Sequence, residues 1–158
     1  MAKAEFKIQG IKELQNRLAT MAEAVNTRLE VELRHLGEDA ITHAKENKGY
    51  KDQSSNLKNS ISYALYKDGE LVSQNIGQIP EPDATKEGQS QVSDNLTRFA
   101  LENNVVAPKG YTLIVVAGMN YGAPVEAKGY NVLYLTQKWM HDKMLEILKE
   151  VLEDAKNL

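Results

Sequence analysis

The chain contains no cysteine in its 158 residues. This absence excludes disulfides, thiolate nucleophiles and cysteine-based zinc sites, and it suits a reducing cytoplasm. Long hydrophobic runs are also lacking, because the longest apolar stretch, residues 113–118, is far shorter than the roughly 20 residues that span a bilayer. Residues 1–9 have no apolar run typical of a secretory signal. The sequence therefore predicts a soluble protein with no membrane segment.

Concentrated positive charge is a third absence, since the formal net charge is −3. A protein that binds nucleic acid usually carries a basic patch that neutralises phosphates. The closest grouping is Lys45, Lys48 and Lys51, and it is diluted by Glu46 and Asp52. We therefore expect no direct recognition of nucleic acid.

Residues 11–46 have the pattern of one long amphipathic helix. Apolar residues recur there at three- and four-residue steps: Ile11, Leu14, Leu18, Met21, Ala22, Val25, Leu29, Leu33, Leu36, Ala40 and Ala44. No proline interrupts the pattern, and Asn47 and Gly49 are natural stop signals.

A helix of that length would measure roughly 54 Å at 1.5 Å per residue, which is more than a domain this small can cover with its own core. Two interpretations remain open. Either the helix breaks near Asn26 or Gly37, or one end projects and meets a partner. Val31 and Ile41 lie off the main apolar stripe and favour the partner, so both are candidate interface residues.

A hairpin and a short helical turn are expected next. Residues 57–60 predict the turn, with Ser54 or Ser55 as its N-cap. Residues 61–66 and 71–76 predict two strands joined by a tight turn at Asp68-Gly69.

Residues 77–110 have the character of an insertion. They begin with a polar loop that contains Pro80 and Pro82, and residues 90–103 have helical spacing. Residues 111–117 are rich in β-branched side chains and predict a buried strand.

The remainder of the chain predicts a loop, a short strand and a final helix. The loop, residues 119–129, has a possible helical turn at 124–127, and the short strand is placed at residues 131–135. The final helix is expected to begin with Thr136 as N-cap. Its predicted apolar face comprises Met144, Leu145, Leu148, Val151, Leu152 and Ala155.

These elements together predict a single α+β domain over residues 1–158, with an insertion at 77–110. A long N-terminal helix and a C-terminal helix would pack on a small antiparallel sheet.

Few side chains suggest chemistry. His35, Asp39 and His43 align along one helix face, and such groups can ligate metal. A straight helix spreads the three over roughly 12 Å, so one ion would need a ligand from elsewhere. His43 also lies at the core stripe, which favours a hydrogen-bonded structural role, and His141 is expected to pack against the long helix.

Glu126 and Trp139 each have two possible roles. Glu126 lies in a loop and is either a functional acid or a cap for backbone amides. Trp139 is either an interface residue or part of the packing on the sheet. Neither a phosphate-binding glycine motif nor a GxSxG or HExxH motif occurs. We therefore expect no enzyme activity, metal or cofactor.

Two segments resemble a known family. Residues 54–61, Ser-Ser-Asn-Leu-Lys-Asn-Ser-Ile, follow the long helix and open a strand. They resemble the threonine-glycine-x-leucine-x-x-serine-isoleucine stretch of the tail-completion and head–tail joining (minor tail) proteins of long-tailed bacteriophages. Residues 121–129, Tyr-Gly-Ala-Pro-Val-Glu-Ala-Lys-Gly, are similar to that family's tyrosine-alanine-x-tyrosine-valine-glutamate-x-glycine segment.

The chain also departs from the family pattern. Ser55 stands for a glycine, Gly122 for an alanine and Pro124 for an aromatic residue, while Gly129 comes one position late. The family's proline-rich segment after the second motif is absent, and the connection at 77–110 is longer than usual.

The resemblance implies a non-enzymatic virion protein that is present in the host cytoplasm during assembly. In the virion it would form a homo-oligomeric ring and contact other phage neck or tail proteins. The resemblance implies that Leu57 and Ile61 anchor the junction of helix and sheet. It also implies that Tyr121, Val125 and Glu126 form a loop that meets a neighbouring subunit. The alternatives are a metal-dependent or acid–base enzyme using the His35, Asp39 and His43 face, and an adaptor that binds one protein through the long helix.

Overall fold

The computed structural model describes residues 10–51, 54–79 and 86–157. The elements in these ranges are, in order, α1 (Ile11–Glu46), α2 (Asn56–Asn59), β1 (Ile61–Lys67), β2 (Glu70–Asn75), α3 (Lys86–Glu102), β3 (Tyr111–Ala117), α4 (Gly122–Ala127) and α5 (Tyr134–Lys156). The α+β class is confirmed. Two predicted segments lie outside the described residues. One is residues 4–9, whose weak alternation of apolar and polar residues suggests a short strand or an extended arm, and the other is the loop with Pro80 and Pro82.

Helix α1 is continuous, so the alternative of a break near Asn26 or Gly37 is wrong. Gly37 instead permits a close approach between α1 and the sheet. A Cβ added at Gly37 would lie 2.6 Å from the Tyr63 ring, well inside van der Waals contact. The glycine that suggested a break therefore lets the helix pack directly on an aromatic side chain of β1.

The three strands form one antiparallel sheet in the order β2-β1-β3. The turn between β1 and β2 has positive φ at Asp68 (51°) and Gly69 (88°), as a tight hairpin turn requires. The predicted hairpin is thus confirmed. The pairing of β1 with β2 contains one irregularity, between Leu65 and Tyr66.

Side chains of the central strand β1 alternate between two apolar layers. On one face, α1 and α5 pack over a cluster of Leu33, Leu36, Ile41, Ala44, Ile61, Tyr63 and Leu65. On the other face, α3 packs over a smaller cluster of Ala64, Leu96, Ala100 and Ile114. The helix of the predicted insertion therefore supplies one of the two layers that bury the sheet.

Two predictions near the start of α5 are wrong. Residues 131–133 form no strand, and α5 begins at Tyr134, so Thr136 lies inside the helix rather than at its N-cap. The physical reason is local capping. The side chain of Asn131 accepts a hydrogen bond from the Leu135 N–H at 2.9 Å, which favours a helical start over an extended segment.

The predicted burial of two other elements needs correction. Strand β3 occurs where expected, but it lies at the edge of the sheet and only Ile114 in it is fully buried. The predicted apolar face of α5 is also partly wrong. Met140, Met144, Ile147, Val151 and Ala155 face the core, whereas Leu145, Leu148 and Leu152 are exposed.

Candidate functional site

The two candidate interface residues on α1 separate in the structure. Val31 is 46% exposed, so it remains available to a partner. Ile41 is 7% exposed and belongs to the core cluster beneath α1, so its prediction as an interface residue is wrong. The reason is that the sheet and α5 together cover a wider arc of α1 than its main apolar stripe, so that Ile41 is buried although it lies off that stripe.

His43 joins α1 to α5. Its Nδ1 lies 3.0 Å from the Thr136 hydroxyl, and its ring stacks on Trp139 with centroids 4.7 Å apart. This contact agrees with the structural role considered for His43 and gives Trp139 a packing role on α1. Neither pairing was predicted, because a wheel drawn for one helix cannot show which residue of another helix lies opposite.

The other histidines lie at the surface. His35 and Asp39 are exposed on α1, and His141 has a side chain that is 74% exposed. The prediction that His141 packs against the long helix is therefore wrong, because α1 meets α5 through Met144 and Ile147 rather than through the His141 side of the helix. In the part of the chain that the structure describes, no group of three or more His, Asp or Glu side chains could hold a metal ion.

The two segments that resemble the phage family lie side by side, although about 60 residues separate them in the chain. Tyr121 and Val125 line a cavity of about 280 Å³ together with Ser54, Asn56 and Leu57. The segments therefore form one structural unit at the junction of α2, α4 and the sheet.

Gly122 lies close to Leu57 of the other segment. A Cβ added there would lie 3.3 Å from Leu57 Cδ1. Within this unit Tyr121 is 42% exposed, whereas Val125 and Glu126 are half-buried. The candidate interface in this loop is therefore open to a neighbour mainly through Tyr121.

Glu126 caps the backbone that leads into α5. Its Oε2 accepts hydrogen bonds from the N–H groups of Val132 at 3.0 Å and Leu133 at 2.7 Å. These amides immediately precede α5, where the chain has no helical acceptor for them and where negative charge is favourable. Of the two roles considered for this carboxylate, the contacts support the capping one.

Replacing Glu126 with alanine should therefore lower the free energy of unfolding by about 1–3 kcal/mol, because two partly buried N–H groups lose their acceptor. Urea unfolding followed by circular dichroism measures the change. Glu146→Ala is the matched control, since Glu146 is an exposed residue of α5 whose carboxylate pairs with Lys143 at the surface. Equal effects of the two substitutions would contradict the capping role.

The first turns of α1 extend beyond the other described elements of the fold. Helix α5 runs antiparallel to α1, with Thr136 beside His43 near one end and an ion pair between Asp154 and Arg28 near the other. Residues 11–20 of α1 thus pass the end of α5, and all of them are exposed. We call this segment the α1 overhang. At 1.5 Å per residue it is about 15 Å long.

The α1 overhang carries an uncovered apolar stripe. Ile11, Leu14 and Leu18 are 45%, 59% and 55% exposed. They continue the stripe that Leu29, Leu33 and Leu36 bury against the sheet and α5. Nothing in the described part of the chain covers them. The structure thereby supports the interpretation in which one end of the long helix projects.

The free edge of β3 is a second open surface. No strand of the described residues pairs with it, since β3 ends the strand order. The Gly118 N–H donates a hydrogen bond to the Ser60 carbonyl. Because hydrogen-bonded positions alternate along an antiparallel pair, the main-chain groups of Leu113 and Val115 point away from β1. The strand contains no charge or proline that would protect this edge.

Two apolar cavities, of about 570 and 620 Å³, flank the β3 edge between α3 and α5. Phe99, Leu133 and Gln137 line both of them. This surface was not predicted, because the β-branched run of β3 fits a central or an edge strand. The candidate site therefore comprises two open apolar surfaces, the α1 overhang and the β3 edge, together with the unit formed by residues 54–61 and 121–129.

Within the described ranges, no helix is long and apolar enough to cross a membrane. In comparisons with protein-family models, curated proteins and solved structures, nothing matches this chain.

Proposed function

We propose that this chain is a structural protein of a long-tailed phage or prophage, which joins head and tail or completes the tail by subunit assembly. The observation that carries the assembly role is the α1 overhang, because its apolar stripe has no partner in the described part of the chain. The resemblance of residues 54–61 and 121–129 supplies the phage context. The contact between those two segments supports their treatment as one unit.

The energetics favour a partner for the α1 overhang. Full burial of a leucine or isoleucine contributes about 1.5–3 kcal/mol. Covering three side chains that are roughly half exposed would therefore contribute on the order of 3 kcal/mol to association. The open β3 edge adds a second surface at which a neighbour would gain main-chain hydrogen bonds.

In this proposal the chain acts in the virion, passes through the host cytoplasm during assembly, and contacts copies of itself and other neck or tail proteins. No metal, cofactor or catalytic step is involved. The enzyme alternative gains no support from the geometry, since His43 contacts Thr136 and Trp139 and not the His35 and Asp39 side chains.

Quantitative mass spectrometry of purified particles tests the proposal. Particles from a genome that encodes this chain should contain it at a fixed, low copy number relative to the major capsid protein, as a ring at a single position requires. Particles that lack the chain, while the cell lysate retains it, would contradict the proposal. Release during purification is controlled by cross-linking the particles before they leave the lysate.

A further inference from the structure

A second exposed apolar stripe lies on α5. It consists of Leu145, Leu148 and Leu152, which are 47%, 38% and 57% exposed, and we call it the α5 leucine stripe. Its residues occupy positions i, i+3 and i+7, and so do Ile11, Leu14 and Leu18 of the α1 overhang. Two helices with this spacing can interdigitate along a shared seam. Each stripe therefore has the geometry of a partner for the other.

The two stripes of one molecule cannot meet. The α1 overhang lies beyond the end of α5, and α5 contacts α1 through Met144, Ile147 and Val151 instead. Both helices are continuous, so neither can fold back without breaking. Contact between the stripes thus requires a second copy of the chain.

Charge distribution favours the same pairing. Lys12, Glu13 and Arg17 give the α1 overhang a net charge of +1. Residues 142–156 of α5 carry five carboxylates and three lysines, a net charge of −2. Asp154 already pairs with Arg28, and the remaining carboxylates still outnumber the lysines. Opposite signs guide association, and like-charged pairings such as α5 with α5 are disfavoured.

The α5 leucine stripe also adjoins an open cavity. His141 and Met144 line the 570 Å³ cavity beside β3. His141 lies one helical turn before Leu145, and Met144 lies one helical turn before Leu148. A helix seated on the stripe would therefore have apolar space beside it, at the edge of the sheet.

We propose that the α1 overhang of one copy packs on the α5 leucine stripe of a second copy. The contact joins two different surfaces, so it is heterologous and can propagate into a closed ring. This inference rests on the proposed function only for the context of the ring, because the contact itself is measured in purified protein.

Cysteine cross-linking tests the pairing, since the chain has no cysteine of its own. Leu14→Cys and Leu148→Cys proteins are purified separately, mixed and mildly oxidised. The expected product is a disulfide-linked dimer that forms in the mixture and not in either protein alone. Asn16→Cys mixed with Leu148→Cys is the control, because Asn16 lies on the opposite side of α1 and should cross-link poorly.

Association measured by sedimentation provides the second test. We expect Leu14→Asp/Leu18→Asp to raise the dissociation constant at least tenfold with an unchanged melting temperature, since both side chains are exposed. Asn16→Asp/Thr20→Asp adds the same charge, at the same i, i+4 spacing, on the other face and should have little effect. Mixing the Leu14→Asp/Leu18→Asp protein with Leu148→Lys/Leu152→Lys should restore association, which a general loss of folding would not allow.

Several results would overturn the inference. One is a wild-type protein that stays monomeric at millimolar concentration, and another is equal association of the two aspartate variants. A third is a Leu14→Cys protein that cross-links to itself, or to a Val105→Cys protein, since Val105 lines the 570 Å³ cavity beside β3 rather than the α5 leucine stripe. Its failure is distinct from that of the proposed function. The contact can exist in a protein that plays no part in virions, and virions can require a chain that assembles through another surface.

Discussion

Replacing Gly77 with alanine is expected to lower the free energy of unfolding by about 3 kcal/mol, the upper part of the range for overpacking. An added Cβ would lie 2.2 Å from the Asn59 carbonyl oxygen and 2.7 Å from the Ser60 carbonyl carbon. Both atoms are main chain, so no side chain can rotate to make room. The Gly77 N–H also donates to the buried Ser62 hydroxyl at 2.9 Å, which holds the segment in place.

Gly69→Ala is the matched control for this substitution. Gly69 has a positive φ of 88°, but nothing lies within 4 Å of an added Cβ. Its expected cost is about 1–2 kcal/mol, from backbone strain alone. Urea unfolding of both variants gives the comparison. A Gly77→Ala protein as stable as Gly69→Ala would contradict the packing described for the junction of α2 and β1.

Leu65→Ala is expected to cost about 2–5 kcal/mol, as large-to-small substitutions in a packed core do. Leu65 is 0% exposed and lies on the central strand beneath α1 and α5. Loss of its side chain would leave a cavity at the point where both helices meet the sheet. The midpoint of urea unfolding should fall while the slope of the transition stays unchanged.

The control for Leu65→Ala is Leu101→Ala, the same substitution at a side chain that is 74% exposed. It should change stability by no more than about 0.5 kcal/mol. If the two substitutions had similar effects, the apolar layer between α1, α5 and β1 would not be the main core.

Periodicity allowed much of the fold to be predicted. The spacing of apolar residues along α1 and the Asp68-Gly69 turn identified the long helix and the hairpin, because these signals are local. The start of α5 was predicted wrongly, since the side chains of Glu126 and Asn131 cap backbone groups there and override strand propensity. A hydrogen bond from a backbone N–H to a side chain leaves no periodic pattern in the sequence.

The candidate site was only partly predictable for a related reason. The predicted apolar face of α5 combined two separate stripes, one that packs against α1 and one that is exposed. A helical wheel could not separate them, because it does not show how much of a helix surface a neighbouring element covers. Ile41 was misplaced in the same way. The position of β3 at the sheet edge depends on strand order, which residues 111–117 alone do not determine.

Electron microscopy of particles made without this chain tests the central claim most directly. If the chain joins head and tail or completes the tail, its loss should yield separate heads and tails, or tails of abnormal length, and a plasmid copy should restore joined particles. A plasmid copy carrying Leu14→Asp/Leu18→Asp should fail to restore them. Joined particles with tails of normal length in the absence of the chain would contradict its role in assembly.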